Sequence, residues 1–386
     1  MASYSHTNFN QINYNADYQY YDITIRNHGS EEETLPIQLN YQEQRDTPII
    51  NNALDYKMSI IRFSISTFGL PSLIFQIQNR QPDPNLGIYS VTLEYDDGLG
   101  GGGQTQPEFL QWIPQNVVPI PIAPSLTSNG LQTFSDYYFC QNYAYFIQIL
   151  NNALTEAMIK LRLIVTPILD TVEEPFLVWN TDTVSATIYA RESHFNSAST
   201  AKVNIYFNRA LYSLLSTFNF IKFNTGVVRN KYYKLILDTF DGFNVVVLPS
   251  FGIDELIFSN QEISTITEWS PISSILFTTS TIPINSTQLS VPSVYIDGQQ
   301  NSLTPSFKNF SNIITDLSSD EFSYKSNLLY LPSAQYRYVS LQNNSPLTNI
   351  DISVFWKDKL GIIREFLLLP GGSAEIKILF EKINKS

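Results

Sequence analysis

Hydrophobic and polar residues alternate with a period of two in three early stretches, at residues 21–26, 57–66 and 89–95. Successive side chains of a β-strand point to opposite faces, so this period predicts strands with one face on a core. In the second stretch the alternation slips by one residue between Ile60 and Ile61. The slip predicts a β-bulge that bends the strand.

The period of two returns near the end of the sequence. It covers residues 350–356, and residues 374–380 repeat it after the turn sequence at 370–372. Between residues 232 and 250, the dipeptide Asp241-Gly242 separates two apolar runs, which predicts a tight hairpin. Strands separated by turn signals in this way are typical of a β-sandwich.

Trp356 is in phase with the isoleucine and valine residues of its run, so we predict that it is buried in the core of the C-terminal sheet. The opposite face carries Asp351, Ser353 and Lys357 and is expected to be the polar one. Phe355 interrupts that face and is a candidate contact with a neighbouring subunit.

Two segments have the period of a helix instead. Apolar residues recur at spacings of three and four between Tyr143 and Arg162, which predicts an amphipathic helix of about four to five turns. A shorter helix is predicted from Asn208, a residue type that caps helix N-termini. No fixed short repeat is present, which argues against propellers and solenoids. The pattern therefore predicts an all-β fold with insertions that contain one long and one short helix.

The composition indicates a protein that contacts other proteins. Charged residues make up 15% of the chain and aromatic residues 13%, against the roughly 25% of charged residues expected in soluble domains. Such a surface suits large permanent interfaces, so we predict an oligomer. The net charge of −12 argues against direct binding of nucleic acid, which depends on Lys and Arg.

The sequence shows no sign of membrane insertion or of disulfide bonds. The first twenty residues have no signal-peptide pattern and are expected to form a flexible arm, with order beginning at Tyr21. No apolar stretch is long enough to span a membrane. Cys140 is the only cysteine, and we expect it to be a small buried hydrophobic residue.

A search for catalytic, cofactor-binding and metal-binding residues gives none. The segment GLGGGG at residues 98–103 has the spacing of a dinucleotide-binding loop, but no helical pattern follows it, so a surface loop is expected. The three histidines, His6, His28 and His194, have neither the spacing nor the neighbours of a zinc site. The acidic runs at 31–33 and 173–174 could supply carboxylates for hydrolysis, but charge runs beside turns are usually solvated. We therefore expect no enzyme activity, no cofactor and no metal.

Four stretches of the sequence resemble a known family of capsid proteins. They are DYKMSIIRFSIST (55–67), DYYFCQNYAYFIQILNNALTEA (136–157), WSPISSILFTTSTIPI (269–284) and the region from SAQYRYVSLQNN to ILFEK (333–382). All four are similar to the penton, or minor capsid, proteins of polintons, adintoviruses and related virophage-like elements. The motifs are patterns of strands and turns, and the family has no catalytic residues to transfer.

The resemblance implies a jelly-roll subunit that forms homopentamers at the vertices of an icosahedral virion. Its partners would be copies of itself and a separate double-jelly-roll major capsid protein, and the virion would be assembled inside the host cell. The expected organisation is an arm at 1–20, jelly-roll strands at 21–70 and 270–386, and an insertion region at 71–269. Two alternatives stay open: a trimeric major capsid protein with two jelly rolls, and a carbohydrate-binding β-sandwich.

Overall fold

The computed structural model shows a chain that is mostly β-strand and divides into two compact units. Residues 1–70 and 271–386 form the first unit, and residues 71–270 form the second. The described residues are 17–29, 35–78, 81–115, 123–124, 135–223, 231–238, 245–246, 255–285, 293–296, 299–302, 312–318, 326–331, 337–359 and 361–383. The acidic run at 31–33 and residues 1–16 of the predicted arm lie outside the described residues.

The strands and helices follow one another along the chain in three groups. Before the second unit come β1 (Tyr18–Arg26), β2 (Ile37–Gln38), β3 (Asn40–Gln44) and β4 (Tyr56–Ser66). The second unit contains β5 (Leu73–Ile74), β6 (Leu86–Asp96), β7 (Gly102–Gln104), β8 (Glu108–Gln111), β9 (Phe139–Cys140), α1 (Tyr143–Ile164), β10 (Phe176–Asn180), β11 (Ser185–Arg191), α2 (Glu192–Phe195), β12 (Lys202–Phe207), α3 (Arg209–Leu214), β13 (Phe220–Lys222), β14 (Tyr233–Leu235), β15 (Val245–Val246), β16 (Leu256–Asn260) and α4 (Ile266–Trp269). After it come β17 (Ile272–Thr279), β18 (Ser293–Ile296), β19 (Gln299–Ser302), β20 (Asn312–Leu317), β21 (Asn327–Tyr330), β22 (Val339–Ser340), β23 (Asn349–Asp358), β24 (Ile363–Glu365), β25 (Leu367–Leu368) and β26 (Ser373–Lys382).

The first unit is a jelly roll made of two antiparallel sheets. One sheet has the order β1-β26-β4-β21, with β22 also on β4, and the other has the order β20-β17-β23-β24, with β3 also on β23. Eight of these strands follow the chain order β1, β3, β4, β17, β20, β21, β23 and β26. Numbered one to eight, they pair as 1-8-3-6 and 2-7-4-5, which is the double Greek key of a jelly roll. The second unit is inserted between the third and fourth of these strands.

The alternating residues of the first strand face the core as predicted, and the strand begins earlier than predicted. Tyr21, Ile23 and Ile25 are all buried. The pairing of β1 with β26 extends back to Tyr18, opposite Glu381. The arm prediction of residues 1–20 is therefore wrong for its last three residues, because backbone hydrogen bonds to β26 hold them in the sheet whatever their polarity.

The predicted bulge in β4 is confirmed. In the pairing of β26 with β4, Lys377 lies opposite Arg62 and the next residue, Ile378, lies opposite Ile60. Ile61 is left without a partner in the ladder, which is the arrangement of a bulge. Because of the bulge, the apolar residues before and after the slip can face the same side of one strand.

The two sheets of the first unit meet through aromatic and aliphatic side chains. Phe63 of β4 and Phe277 of β17 contact each other with ring centroids 5.0 Å apart. Trp356 is 2% exposed, as predicted for a core residue. Phe355, on the opposite face of β23, packs on a small apolar cluster of its own chain that contains Leu276.

Asp351 lies on the expected polar face of β23, but it is buried. It is 7% exposed, and its carboxylate accepts hydrogen bonds from the turn that follows β17. The period of two correctly assigned its face. Other parts of the chain cover that face. Their position depends on the tertiary structure and cannot be predicted from the alternation within one strand.

The second unit packs its sheets and its long helix around a separate core. One sheet has the order β13-β14-β12-β6-β7, with β8 on β6, and the other has the order β10-β11-β16-β15. The apolar face of β6, which the sequence pattern at 89–95 predicted, belongs to this core. The core cluster runs from Leu73 to Trp269 and includes nine buried residues of α1.

Both helix predictions coincide with helices of the structure. α1 covers the predicted segment, and the side chain of Asn142 caps it by accepting a hydrogen bond from the Tyr145 amide at 2.8 Å. α3 begins after Asn208, whose side chain accepts from the Leu211 amide at 3.0 Å. These side chains satisfy amides that have no partner inside the helix. α2 and α4 are two further helices of four residues each.

The hairpin predicted around Asp241-Gly242 is wrong. The dipeptide itself lies outside the described residues, but the strands on either side do not pair with each other. β14 pairs with β12 and β13, whereas β15 pairs with β16 in the other sheet. A turn dipeptide specifies a local reversal, and the choice of partner strand depends on the burial of both faces in the folded unit.

Candidate assembly surfaces

The acidic residues and histidines that could have supplied catalysis do not form a common site. Glu173 forms an ion pair with Arg191 at 2.6 Å, and Glu174 forms one with Arg162 at 3.1 Å. His28 is exposed, and the Nδ1 atom of His194 lies 2.7 Å from the hydroxyl of its neighbour in α2. His6 lies outside the described residues.

Metal binding and thiol chemistry find no support in the described residues. They contain no group of three His, Cys, Asp or Glu side chains that could hold a metal ion. Cys140 is fully buried, and burial raises the pKa of its thiol to about 12. A thiol with such a pKa is not ionised near neutral pH and is a poor nucleophile.

The glycine-rich segment is the loop of a β-hairpin, as expected for a surface loop. β6 and β7 pair with each other, with Asp96 opposite Gly102. The carboxylate of Asp97 accepts hydrogen bonds from the amides of Leu99 and Gly101. Amides that are held inside the loop cannot also bind a pyrophosphate, so the nucleotide-binding interpretation is excluded by geometry as well as by context.

A buried charge cluster supports the outer face of the same sheet. Glu94 lies 2.7 Å from the ammonium of Lys231 and accepts a hydrogen bond from the hydroxyl of Tyr206 at 2.5 Å. Burial acts to raise the pKa of Glu94, but the hydrogen bonds from Lys231 and Tyr206 outweigh it, so the pKa is lowered. Lys231 is 6% exposed. An ion pair this enclosed holds strands together and leaves no carboxyl free for catalysis.

The first candidate assembly surface, called here the β1 surface, lies on the outer face of the first jelly-roll sheet. It consists of Tyr18, Tyr20 and Asp22 of β1 with Arg62 and Lys377. The two tyrosines are 56% and 50% exposed. Asp22 lies 3.9 Å from Arg62 and 3.4 Å from Lys377. Tyrosine and arginine are enriched where proteins meet.

The β1 surface also borders one edge of the first jelly-roll sheet. Among the strands that the structure describes, β1 pairs only with β26. A strand edge presents unpaired backbone donors and acceptors, which a second chain can satisfy. The strand is nine residues long, whereas proteins often keep exposed edge strands short to avoid pairing with another chain.

The second candidate surface, called here the α1-end surface, lies in the second unit. It consists of Ile159, Leu163 and Ile164 of α1. Leu163 is 75% exposed and Ile164 is 53% exposed. A side chain at Gly103 would lie 2.6 Å from Ile164, so the hairpin packs directly against the end of the helix. Neighbouring apolar side chains with this exposure mark an interaction site.

Comparison with known proteins gives the family. Residues 19–382 match the profile of the family described as Sputnik minor capsid protein V18/19. The chain belongs to this family. The match covers both units, so it applies to the minor capsid protein as a whole and not to one part of it.

A curated relative supports the assignment, and two solved structures share the fold of this chain. Protein V18 of Sputnik virophage is 34% identical to this minor capsid protein over 147 residues, which are 36% of this chain and 82% of the relative. A chain in the cryo-EM structure of Sputnik virophage is 24% identical and has a TM-score of 0.78, covering 95% of this chain and 98% of that one. The mavirus penton protein is 15% identical, with a TM-score of 0.60 over 95% of this chain and 99% of that one.

The minor capsid protein is thus a structural protein of a virophage-type virion with a penton-like jelly-roll fold. None of the helices in the described part of the chain is long and apolar enough to cross a membrane. Sequence reasoning found the family but neither assembly surface. The signal for the α1-end surface was present as isoleucine and leucine at 159 and 163, one turn apart and outside the apolar stripe of the helix.

Proposed function

We propose that this protein forms homopentamers at the vertices of an icosahedral shell, in contact with a separate major capsid protein. The observation that carries the proposal is the match of the whole chain to a minor capsid family, together with a fold shared with the mavirus penton protein. The same match disfavours the alternative of a trimeric major capsid protein.

The chemistry of the surfaces supports association into a ring. A closed ring with cyclic symmetry buries two different patches of each subunit against each other. The β1 surface combines exposed tyrosines with ion pairs, and the α1-end surface is apolar. Large exposed apolar residues are costly for a lone soluble chain, and burial in an interface removes that cost.

We propose no catalytic role and no direct contact with the genome. The carboxylates at 173 and 174 are held in ion pairs, and the net charge of −12 opposes binding to a phosphate backbone. Its role in the shell would depend on contacts with other protein subunits.

The mass of the purified assembly tests the pentamer. Five copies of the 44.0 kDa chain give about 220 kDa, against about 132 kDa for a trimer. Light scattering and electron microscopy should give the larger value and five-fold rings. A protein that stays monomeric at high concentration and is absent from the vertices of assembled particles would contradict the proposal.

A pair of variants tests the contribution of the α1-end surface. Leu163→Lys places a charge in the centre of this surface and should weaken assembly without changing the melting temperature of the subunit. Ile263→Lys is the matched control, because Ile263 is 69% exposed and lies outside the surface. Equal assembly by both variants would remove the α1-end surface from the interface but would leave the pentamer itself intact.

A further inference from the structure

A pocket opens on the surface of the second unit beside the first half of α1. Its volume is about 470 Å³, within the range of roughly 300–1,000 Å³ that small-molecule sites occupy. Residues 113–115, which follow β8, form one wall. Tyr145, Gln148, Ile149 and Asn152 of α1 form the other wall. These four helix positions share one face of α1, because they are three or four residues apart.

The aromatic ring in this pocket, that of Tyr145, is held in place by its neighbours. The amide of Tyr145 donates to the capping side chain of Asn142, and its hydroxyl donates to the carbonyl oxygen of Ile113. Its ring lies edge-on to the buried Trp112, with centroids 5.9 Å apart. The ring is therefore oriented before any ligand arrives, which reduces the entropy cost of binding.

The polar groups of the pocket are carboxamides. Its lining among the residues that the structure describes includes Gln115, Gln148 and Asn152 and no charged side chain. The side-chain oxygen of Gln115 accepts a hydrogen bond from the Gln141 amide at 2.6 Å, which fixes the direction of its side chain. Gln148 and Asn152 are exposed, and their side chains form no hydrogen bond with any residue that the structure describes. Each carboxamide offers donors and an acceptor together.

We propose that this pocket binds a neutral glycan. A sugar hydroxyl both donates and accepts, so adjacent hydroxyls match the paired donor and acceptor of a carboxamide. The apolar face of a sugar ring matches the ring of Tyr145 and the exposed side chain of Ile113. The absence of charge from the lining selects against anionic sugars and nucleotides, which need Arg, Lys or a cluster of amides. This inference does not depend on the pentamer.

The geometry favours a glycan over a peptide. Strand addition of a peptide needs a free sheet edge, whereas a helix and a loop form this pocket. Docking of an amphipathic helix needs a continuous apolar groove, whereas three of the seven lining residues carry carboxamides. Both walls instead fit a short, uncharged, hydroxyl-rich ligand.

Saturation-transfer NMR and titration calorimetry on the full-length protein test the proposal. The probes are lactose, maltose and diacetylchitobiose, with sialyllactose as the anionic comparison and the capped tripeptide acetyl-Ala-Asn-Ser-amide as the peptide comparison. At least one neutral disaccharide should bind with millimolar affinity, and the sialyl sugar should bind no more tightly than lactose. The double variant Gln148→Ala with Asn152→Ala should weaken the binding by roughly tenfold or more.

The controls separate loss of the ligand contacts from loss of the fold. Gln106→Ala removes an exposed glutamine of the same unit that does not line the pocket, and it should leave binding unchanged. The melting temperatures of all variants should equal that of the wild type. The proposal is overturned if none of the three disaccharides binds, if the double variant binds as tightly as the control, or if only the peptide binds. The mass of the assembly plays no part in this readout.

Discussion

At the scale of single residues, Asp351 shows how a buried charge can be stabilised by its neighbours. Burial acts to raise the pKa of its carboxyl, but hydrogen bonds from Ser280, Thr279 and Thr281 outweigh burial and lower the pKa to about 2. The Ser280 amide donates at 2.6 Å and the Thr281 amide at 2.9 Å. The carboxylate therefore fixes the turn after β17.

Replacing this carboxylate should weaken the first unit. Asp351→Asn keeps the shape but loses the charge, and we expect it to lower the free energy of unfolding near neutral pH by about 2 kcal/mol. The folded pKa lies below the unfolded value, so the contribution of the carboxylate is present above about pH 4 and is lost as the pH falls towards 2. The difference between variant and wild type should shrink over the same interval in urea denaturation.

Asp46→Asn is the matched control for this prediction. Asp46 is an exposed aspartate of the same unit, and its replacement should leave the free energy of unfolding within about 0.5 kcal/mol of wild type. If Asp351→Asn behaved like this control at every pH, the hydrogen bonds of the turn would not stabilise the fold.

Trp356 tests the core of the C-terminal sheet. Its ring is 2% exposed, and the guanidinium of Arg364 lies 5.4 Å from the ring centroid. Trp356→Ala should cost roughly 3–5 kcal/mol, because it removes buried apolar surface and leaves a cavity. The measurement is the urea midpoint, with Phe68→Ala as the exposed aromatic control. A stable Trp356→Ala variant that loses affinity for sugars would instead make Trp356 a ligand-stacking residue.

At the scale of elements, the N-terminal strand divides the arm from the fold. β1 pairs with β26 from Tyr18 onward, and the carbonyl oxygen of Asp17 accepts from the Lys382 amide at 2.8 Å. Residues that lack such bonds to the sheet contribute little to its stability. The boundary between dispensable and essential residues is therefore expected at Asp17.

Two deletions locate this boundary. Removing residues 1–16 should leave the melting temperature of the subunit unchanged and reduce its occupancy in assembled particles. Removing residues 1–26 deletes β1 and should unfold the first unit. Calorimetry and quantification of purified particles measure the two effects. Loss of folding in the shorter deletion would place the arm in the core.

At the scale of the whole molecule, the second unit is formed by one continuous segment of the chain and the first unit by two separate segments. The core cluster of the second unit lies between Leu73 and Trp269, within the continuous segment 71–270. The first unit needs both flanking segments, because β26 lies between β1 and β4 in one sheet, and β3 pairs with β23 in the other.

This difference predicts which fragments fold. Residues 71–270 expressed alone should fold, because they carry their own core. The folded fragment should show a near-ultraviolet circular dichroism signal and should unfold cooperatively. Residues 271–386 alone should not fold, since the fragment lacks β1, β3 and β4. A folded 271–386 fragment or an unfolded 71–270 fragment would show that the units do not fold as separate bodies.

Local patterns predicted several strands and two of the helices correctly, and their failures share one cause. The strand at 21–26, the bulge at Ile61 and the caps at Asn142 and Asn208 depend on interactions within a few residues of chain or on one buried face. The hairpin at 241–242 was wrong and the burial of Asp351 was not predicted, because both depend on which distant segments cover a strand. The pocket beside α1 was missed for the same reason, since its two walls lie 30 or more residues apart in the sequence.

The sequence by itself therefore determined the fold class, the positions of several strands and of the long helix, and the family. Hydrophobic periodicity and capping are local physical effects, and they are written in consecutive residues. Only the tertiary structure decided the partners of each strand, the burial of Asp351, the exposure of Leu163, and the pocket of carboxamides. These features arise where segments far apart in the chain exclude water from one another, and no single stretch of sequence carries the information about both sides of such a contact.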